Sequence, residues 1–200
     1  EIVNNEIVYL CEIVSFDPLK AKVIKKIDEI HDNKHQIIIV QSLVNENKMD
    51  LILQKGTELG MTSFYGYKAV NSVIKENDKS DKKIIRWQKI VKEASEQSKR
   101  NTIPDVKEIV DIKKLCELEA DLKLVLSVKE KSNSIKKVLQ NSKKCDTMII
   151  VIGPEGGFDE KEEKTLIANG FIPITLGNRV LRTETASIAC LSMINYEWMV

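Results

Sequence analysis

Two periodicities divide the chain. Over residues 6–16 and again over 20–30, apolar and polar positions alternate (Val8, Leu10; Val23, Ile27), with Asp17 and Pro18 between them. A period of two around a turn signal predicts a β-hairpin. Two strands cannot bury a core of their own, so the hairpin is either the remnant of a small β-domain or an edge added to the main domain. The chain opens at Glu1 without a methionine and enters the alternation at once, which favours the remnant. Past the polar stretch HDNKH the pattern changes to short apolar runs separated by helical stripes. Strands are predicted at 35–43, 62–67, 122–128, 147–152 and 171–176, and helices at 48–59, 81–99, 134–139, 159–168 and from 183 to the C-terminus. The helix over 48–59 carries Met49, Ile52, Leu53 and Leu59 as its apolar stripe, with Gly60 as its stop. Runs such as TMIIVI (147–152) do not alternate, as expected of strands covered on both faces, and strand-helix repetition of this kind predicts a largely parallel α/β sheet.

Composition adds little to that picture but excludes several classes. Of 200 residues, 42% are hydrophobic and 30% charged, enough for a real core, and 31 basic against 30 acidic residues leave a net charge of +1. A nucleic-acid surface must therefore be local. Cys11, Cys116, Cys145 and Cys190 form no C-x-x-C pair and are expected as buried free thiols of a reducing compartment, three of them in apolar segments. His31 and His35, four apart, lack a third ligand and fit a solvated loop better than a metal site. No apolar run approaches a membrane span and the N-terminal residues do not have the layout of a signal peptide, so a cytoplasmic protein is expected.

The chemistry concentrates in two glycine loops. VIGPEGGFDEKEE (151–163) places Gly153, Pro154, Glu155, Gly156 and Gly157 between a buried strand and a helix that Asp159 can cap, with Glu160, Glu162 and Glu163 in its first turn. It lacks the lysine and hydroxyl of a P-loop and the spacing of a dinucleotide fingerprint. Acids at the helix start make it a poor phosphate cradle, so a neutral or cationic ligand is expected. LGNRVLRTETAS (176–187) follows the last strand, with Gly177 at the exit and Arg179 and Arg182 as charges. Adjacent loops of this kind are either tight turns or the two walls of one pocket at the carboxyl ends of the strands.

GPEGGF followed by LGNRVLRTETA closely resembles the signature of the RsmE-type 16S ribosomal RNA uridine N3-methyltransferases of the SPOUT class. KMDLILQKGTELG (48–60) and RWQKIVKEASEQSKR (86–100) resemble two further blocks in the same order, so the likeness runs from about Gln36 to the C-terminus. Gly56, where the family usually has alanine, departs from it. The resemblance implies a SPOUT methyltransferase domain over 36–200, with a parallel sheet and a C-terminal trefoil knot. Residues 1–32 would be what is present of an N-terminal PUA-like β-barrel that binds RNA.

It further implies S-adenosylmethionine as cofactor, with no metal. The cofactor would sit among Leu126, Ser127, Ile152, Gly153, Pro154, Glu155, Gly156, Leu176, Gly177, Leu181, Arg182, Thr183, Thr185 and Ala186. A homodimer is implied, with Ile188, Leu191, Ile194 and Trp198 of the last helix as candidate contact. The substrate would be a uridine of 16S ribosomal RNA, within the small ribosomal subunit. Residues 75–100 hold nine basic and five acidic residues, and beside these blocks they become a candidate RNA surface. Lys82, Lys83 and Lys89 would position phosphates, with Gln97 and Arg100 nearer the base. Uracil N3 carries a proton, so methylation there needs a proton acceptor and a partner for the developing oxyanion. Arg100 and Arg182 are candidates for the second role, and Glu155 and Glu184 both for the first. The competing readings are an RNA-binding or ribosome-assembly module of the same fold without turnover, and an α/β enzyme for another small ligand.

Overall fold

The computed structural model describes residues 1–72, 80–142 and 145–198. Three antiparallel strands come first: β1 (Ile2–Asn4), β2 (Ile7–Phe16) and β3 (Leu19–Ile27), in the order β1-β2-β3. The hairpin is as expected, and β1 extends it. Only Val8 of this sheet is a buried apolar residue, and Ile13, Val14, Phe16, Leu19, Val23 and Ile24 are exposed.

The rest is a doubly covered sheet. β4 (Gln36–Ser42), β5 (Ser63–Tyr67), β6 (Asp105–Val110), β7 (Leu122–Leu126), β8 (Thr147–Ile152) and β9 (Ile172–Ile174) stand in the order β6-β5-β4-β8-β7-β9, every pair parallel. Successive residues of β4 and β8 serve opposite faces. Ile37, Ile39, Met148 and Ile150 pack with α1 (Glu46–Glu58), α2 (Ser80–Gln97), α4 (Ile135–Asn141) and α6 (Thr183–Trp198). Val40, Ile149 and Val151 face α3 (Ile112–Glu117) and α5 (Glu160–Ala168) through Leu115 and Leu166. A strand buried on both faces has no polar side to alternate with, which is why these runs read as continuous.

Three features differ from the sequence reading. β6 and α3 were not expected. Half of β6 is charged (Asp105, Lys107, Glu108) because it is an edge strand, and α3 is a turn and a half long with only Leu115 buried. β9 stops at Ile174 instead of continuing to 176. It too is an edge strand, where Pro173 is tolerated, and Thr175 already turns away to bond Asn133 and Ile135. Of the cysteines, all four are free but only Cys190 is fully buried.

Candidate functional site

The carboxyl ends of β7 and β8 open into a cavity of about 640 Å³. The segment after β7 (Leu126, Ser127, Val128, Lys129) forms one wall. The glycine loop from Ile152 to Phe158 forms the second, and Val180, Leu181, Arg182, Thr183 and Ala186 at the entry to α6 form the third. Lys48 and Glu163 complete it. A small annex of about 70 Å³ adds Leu176, Gly177 and Arg179 and shares Leu126, Ser127, Leu181 and Ala186.

Local chemistry shapes each wall. Asp159 caps α5 in a full capping box with Glu162. Glu162 is also a buried acceptor for the Tyr67 hydroxyl (2.6 Å) and the Val70 amide (3.0 Å), and burial together with this carboxylate raises the Tyr67 phenol above its ordinary range. A Cβ on Gly153 would stand 2.9 Å from the Phe158 ring, so the loop closes only around a glycine. Gly177 has φ +127°, which an L side chain rarely adopts. The two loops are tied from below. Thr183 Oγ1 donates to the Gly153 carbonyl (2.8 Å) and accepts from Gln41 Nε2 (2.8 Å), while Ser187 Oγ donates to Gln41 Oε1 (2.7 Å) and Ser42 Oγ to the Ile152 carbonyl (2.9 Å).

The charges are balanced and clustered. Lys129 pairs with Glu163 at 3.4 Å. Lys48 donates to Glu155 of the glycine loop and lies 3.6 Å from Glu184 Oε2, with side-chain exposures of 22% for Lys48, 47% for Glu155 and 12% for Glu184. The hydrogen bond that Lys48 donates to Glu155 holds the Lys48 pKa above its ordinary value. Glu184 Oε2 is buried and, among the described residues, accepts no hydrogen bond.

Most of the expected pocket residues therefore converge. Leu126, Ser127, Ile152, Gly153, Pro154, Glu155, Gly156, Leu181, Arg182, Thr183 and Ala186 line the main cavity, and Leu176 and Gly177 the annex. Glu184 stands behind the wall against Lys48. Thr185 does not line either space: it is exposed, one helical step of about 100° from the buried Glu184. Lys48 itself was missed, although it had a signal. It sits in the first turn of α1, after the Asn45 cap, where the helix dipole disfavours a cation, so a tertiary partner had to explain it. Phe158 was missed as well, whereas Lys129 closes the cofactor loop expected over Leu126 to Lys129.

Arg100 requires a correction. It lies at the opposite end of the sheet from the pocket of its own chain, with its side chain 4% exposed. Its Nε donates to Asp32 (2.6 Å) and its Nη1 to the carbonyls of Thr57 (3.1 Å) and Met61 (2.6 Å), the last turn of α1 and its exit. α2 explains the placement: it starts downstream of β5 at the pocket end and delivers the chain to the amino end of β6. Lys82 and Gln97 are thus about 22 Å apart along the helix, and Gln97 also stands at the far end. Lys82, Lys89 and Gln97 are exposed, Lys83 is half-buried, and Lys89 faces Glu93 at 3.8 Å. Lys75 and Lys79 of the basic stretch lie outside the described residues. In α6, Leu191, Ile194 and Trp198 belong to the core of the protomer, which removes them from a dimer contact; Met193 and Tyr196 are the exposed apolar side chains. His31 contacts Glu29 at 3.2 Å, and His35 Nδ1 stands 2.7 Å from the Cys145 carbonyl.

Residues 31–195 match the model of an RNA methyltransferase domain. Over 196 residues the chain is 37% identical to the ribosomal RNA small subunit methyltransferase E of Bacillus subtilis (strain 168), a match covering 94% of this chain and 77% of the relative. The chain belongs to the ribosomal RNA small subunit methyltransferase E family. A family structure from Neisseria gonorrhoeae, bound to S-adenosyl methionine, superposes with a TM-score of 0.82 at 30% identity, covering 90% of this chain and 73% of that one. A crystal structure described as a hypothetical protein is closer in shape, with TM-score 0.89 at 34% identity over 97% of this chain and 80% of that one. The resemblance to the methyltransferase E family carried by the four sequence blocks therefore holds.

Proposed function

We propose that this protein methylates N3 of a uridine in small-subunit ribosomal RNA, using S-adenosylmethionine. One observation carries the reading: in a chain of this family, three loops enclose a cavity in which the carboxylates Glu155 and Glu163 stand among the cations Lys48, Lys129 and Arg182. The residues present fit the cofactor. Leu126, Ile152, Leu181 and Ala186 offer apolar walls to an adenine, and Glu155 and Glu163 are carboxylates on the wall that can face a cationic centre. Gly153 keeps open a cradle that a side chain would close by displacing Phe158. When bound, the cofactor supplies an electrophilic methyl group on a cationic sulfur. The chain must hold the base in line with it, take the ring proton, and stabilise the charge left behind. Glu155 and Glu184 are the acceptors within reach of the cavity, and Arg182 is a cation on its wall.

The same reading extends to the organisation of the chain. We take residues 1–32 as part of a PUA-like RNA-binding unit and 36–200 as the SPOUT domain, with a trefoil knot at its C-terminal end. After the edge strand β9 the chain returns to the middle of the sheet, and α6 packs on α1, α4 and β8, a path that such a threading requires. Lys82, Lys83 and Lys89 are retained as phosphate contacts, in a cytoplasmic homodimer. Among the described residues no helix is long and apolar enough to cross a membrane.

Small ribosomal subunits lacking the modification, incubated with the protein and cofactor, should gain one stop for reverse transcriptase, because a methyl at N3 removes a Watson–Crick donor. Gly153→Val should lose cofactor binding in calorimetry, Arg182→Ala should give no stop, and EDTA should change nothing. Methyl incorporation at a ribose, or into transfer RNA alone, would overturn the assignment of base and substrate.

A further inference from the structure

Arg100, one of the two residues expected as oxyanion partner, is absent from the pocket, and among the described residues three cations line the cavity, Lys48, Lys129 and Arg182. Lys129 is 59% exposed and answered by Glu163. Arg182 is exposed to water, which screens its field. Lys48 is the most enclosed of the three, with 22% of its side chain exposed. Its position is not explained locally, since Asn45 already caps α1 and a cation in the first turn opposes the helix dipole.

Its hydrogen bonds are also incomplete. An ammonium carries three donors. One goes to Glu155, while the approach to Glu184 Oε2 at 3.6 Å is an ion pair and too long for a hydrogen bond. Among the described residues Lys48 Nζ has no other partner, and the buried Glu184 oxygen accepts from none. Two N–H groups on a cavity wall are thus available to a ligand. The charged groups facing this ammonium are Glu155 from the glycine loop, Glu184 from α6 and Arg182 from the segment before it. Two carboxylates against it keep it protonated, so it acts as a fixed cation and not as a base.

We propose that Lys48 is a catalytic residue of the methyl transfer, donating to a carbonyl oxygen of the uracil as negative charge develops there. This rests on the function proposed above. The ring N–H bond breaks, its proton passing to a carboxylate and its electron pair staying on the base. That pair forms the new N–CH3 bond while the C–S pair stays on sulfur. Between the two events the charge is shared by the ring nitrogen and its flanking carbonyls, where a preorganised donor is worth most.

The test uses Lys48→Met and Lys48→Arg in the full chain, with unmethylated small ribosomal subunits and radiolabelled cofactor. Lys48→Met should lower kcat about 100-fold, as loss of one oxyanion donor does, with cofactor Kd by calorimetry and subunit affinity within about threefold of wild type. Its rate should climb with pH above neutrality, where the wild type is flat, because without the cation the ring N–H is less acidic and its ionisation gains from a falling proton concentration. Lys48→Arg keeps the charge and should keep the flat profile. A flat profile in Lys48→Met, unchanged kcat, or a cofactor affinity that falls in step with turnover would each overturn the assignment while leaving the methyltransferase intact. No transfer by the wild-type protein would remove the proposed function itself, and this role with it.

Discussion

Each end of the parallel sheet holds a cation against a carboxylate, and the two are finished differently. At the amino end, Arg100 gives its Nε to Asp32 and its Nη1 to two carbonyls, and the other Asp32 oxygen accepts from the amide (2.7 Å) and hydroxyl (2.9 Å) of Thr102. At the carboxyl end, among the described residues, Lys48 makes one hydrogen bond and the nearby Glu184 Oε2 makes none. Burial without partners costs free energy, so a fully answered cluster marks a structural joint and a half-answered one marks groups held for a ligand. The Arg100 joint also seats the small sheet: the adjacent Asn101 donates to the carbonyls of Glu6 (2.9 Å) and Glu29 (3.0 Å) and accepts from the His31 amide (2.9 Å).

The comparison breaks most visibly in stability. Arg100→Met leaves the half-buried Asp32 without its counter-charge and the two buried carbonyl contacts at the end of α1 without a donor, so unfolding in urea should register a loss of about 3 kcal/mol. Glu184→Gln removes a charge whose Oε2 has, among the described residues, no hydrogen bond to lose, and should cost less than about 1 kcal/mol. Equal losses from the two variants would mean that the pocket end is as much a structural joint as the other.

Gln41 sharpens the same contrast from beneath the pocket. It is fully buried and joins Thr183, Ser187 and the Ser42 carbonyl, so Gln41→Leu should destabilise by about 1–3 kcal/mol. Unlike Arg100→Met, it should also weaken cofactor binding in calorimetry, because Thr183 ties the entry of α6 to the Gly153 carbonyl. Unchanged cofactor affinity would show that the loops hold their geometry without this support.

What could be read from the sequence follows from how many neighbours each element has. β4 and β8 are covered on both faces and announce themselves as apolar runs, whereas β6 and α3 touch the core through few residues and leave a charged, aperiodic stretch. Most of the pocket was legible because glycines and a helix cap are local signals, and Gly153, Gly177 and Asp159 each have a backbone reason for their identity. Arg100 was misplaced because a basic residue at the end of a basic helix looks solvated, and only the path of the chain brings Asp32, 68 positions away, against it. Lys48 was hidden for the same reason: its partners, Glu155 in the glycine loop and Glu184 in α6, lie more than 100 residues downstream.

The smallest effect tests whether every acid near the pocket is left open. Glu130 lies in the segment after β7, beside the cavity residue Lys129, yet its Oε1 accepts from the Asn133 amide (2.8 Å), the Ser132 hydroxyl (2.8 Å) and the Ser132 amide (2.7 Å). These donors, the Asn133 amide foremost, pull its pKa from 4.5 down to about 2. A carboxyl whose pKa is lower in the folded chain contributes stability above its unfolded value, and that contribution is lost as the pH falls from about 4.5 toward 2. The group is exposed, so the effect is small and best read as a difference between two curves. Melting temperatures of wild type and Glu130→Gln should differ by a constant amount above about pH 5 and converge on acidification. A gap that persists unchanged into acid would mean that the three donors serve the turn as well without the charge, and that this segment is held by its backbone alone.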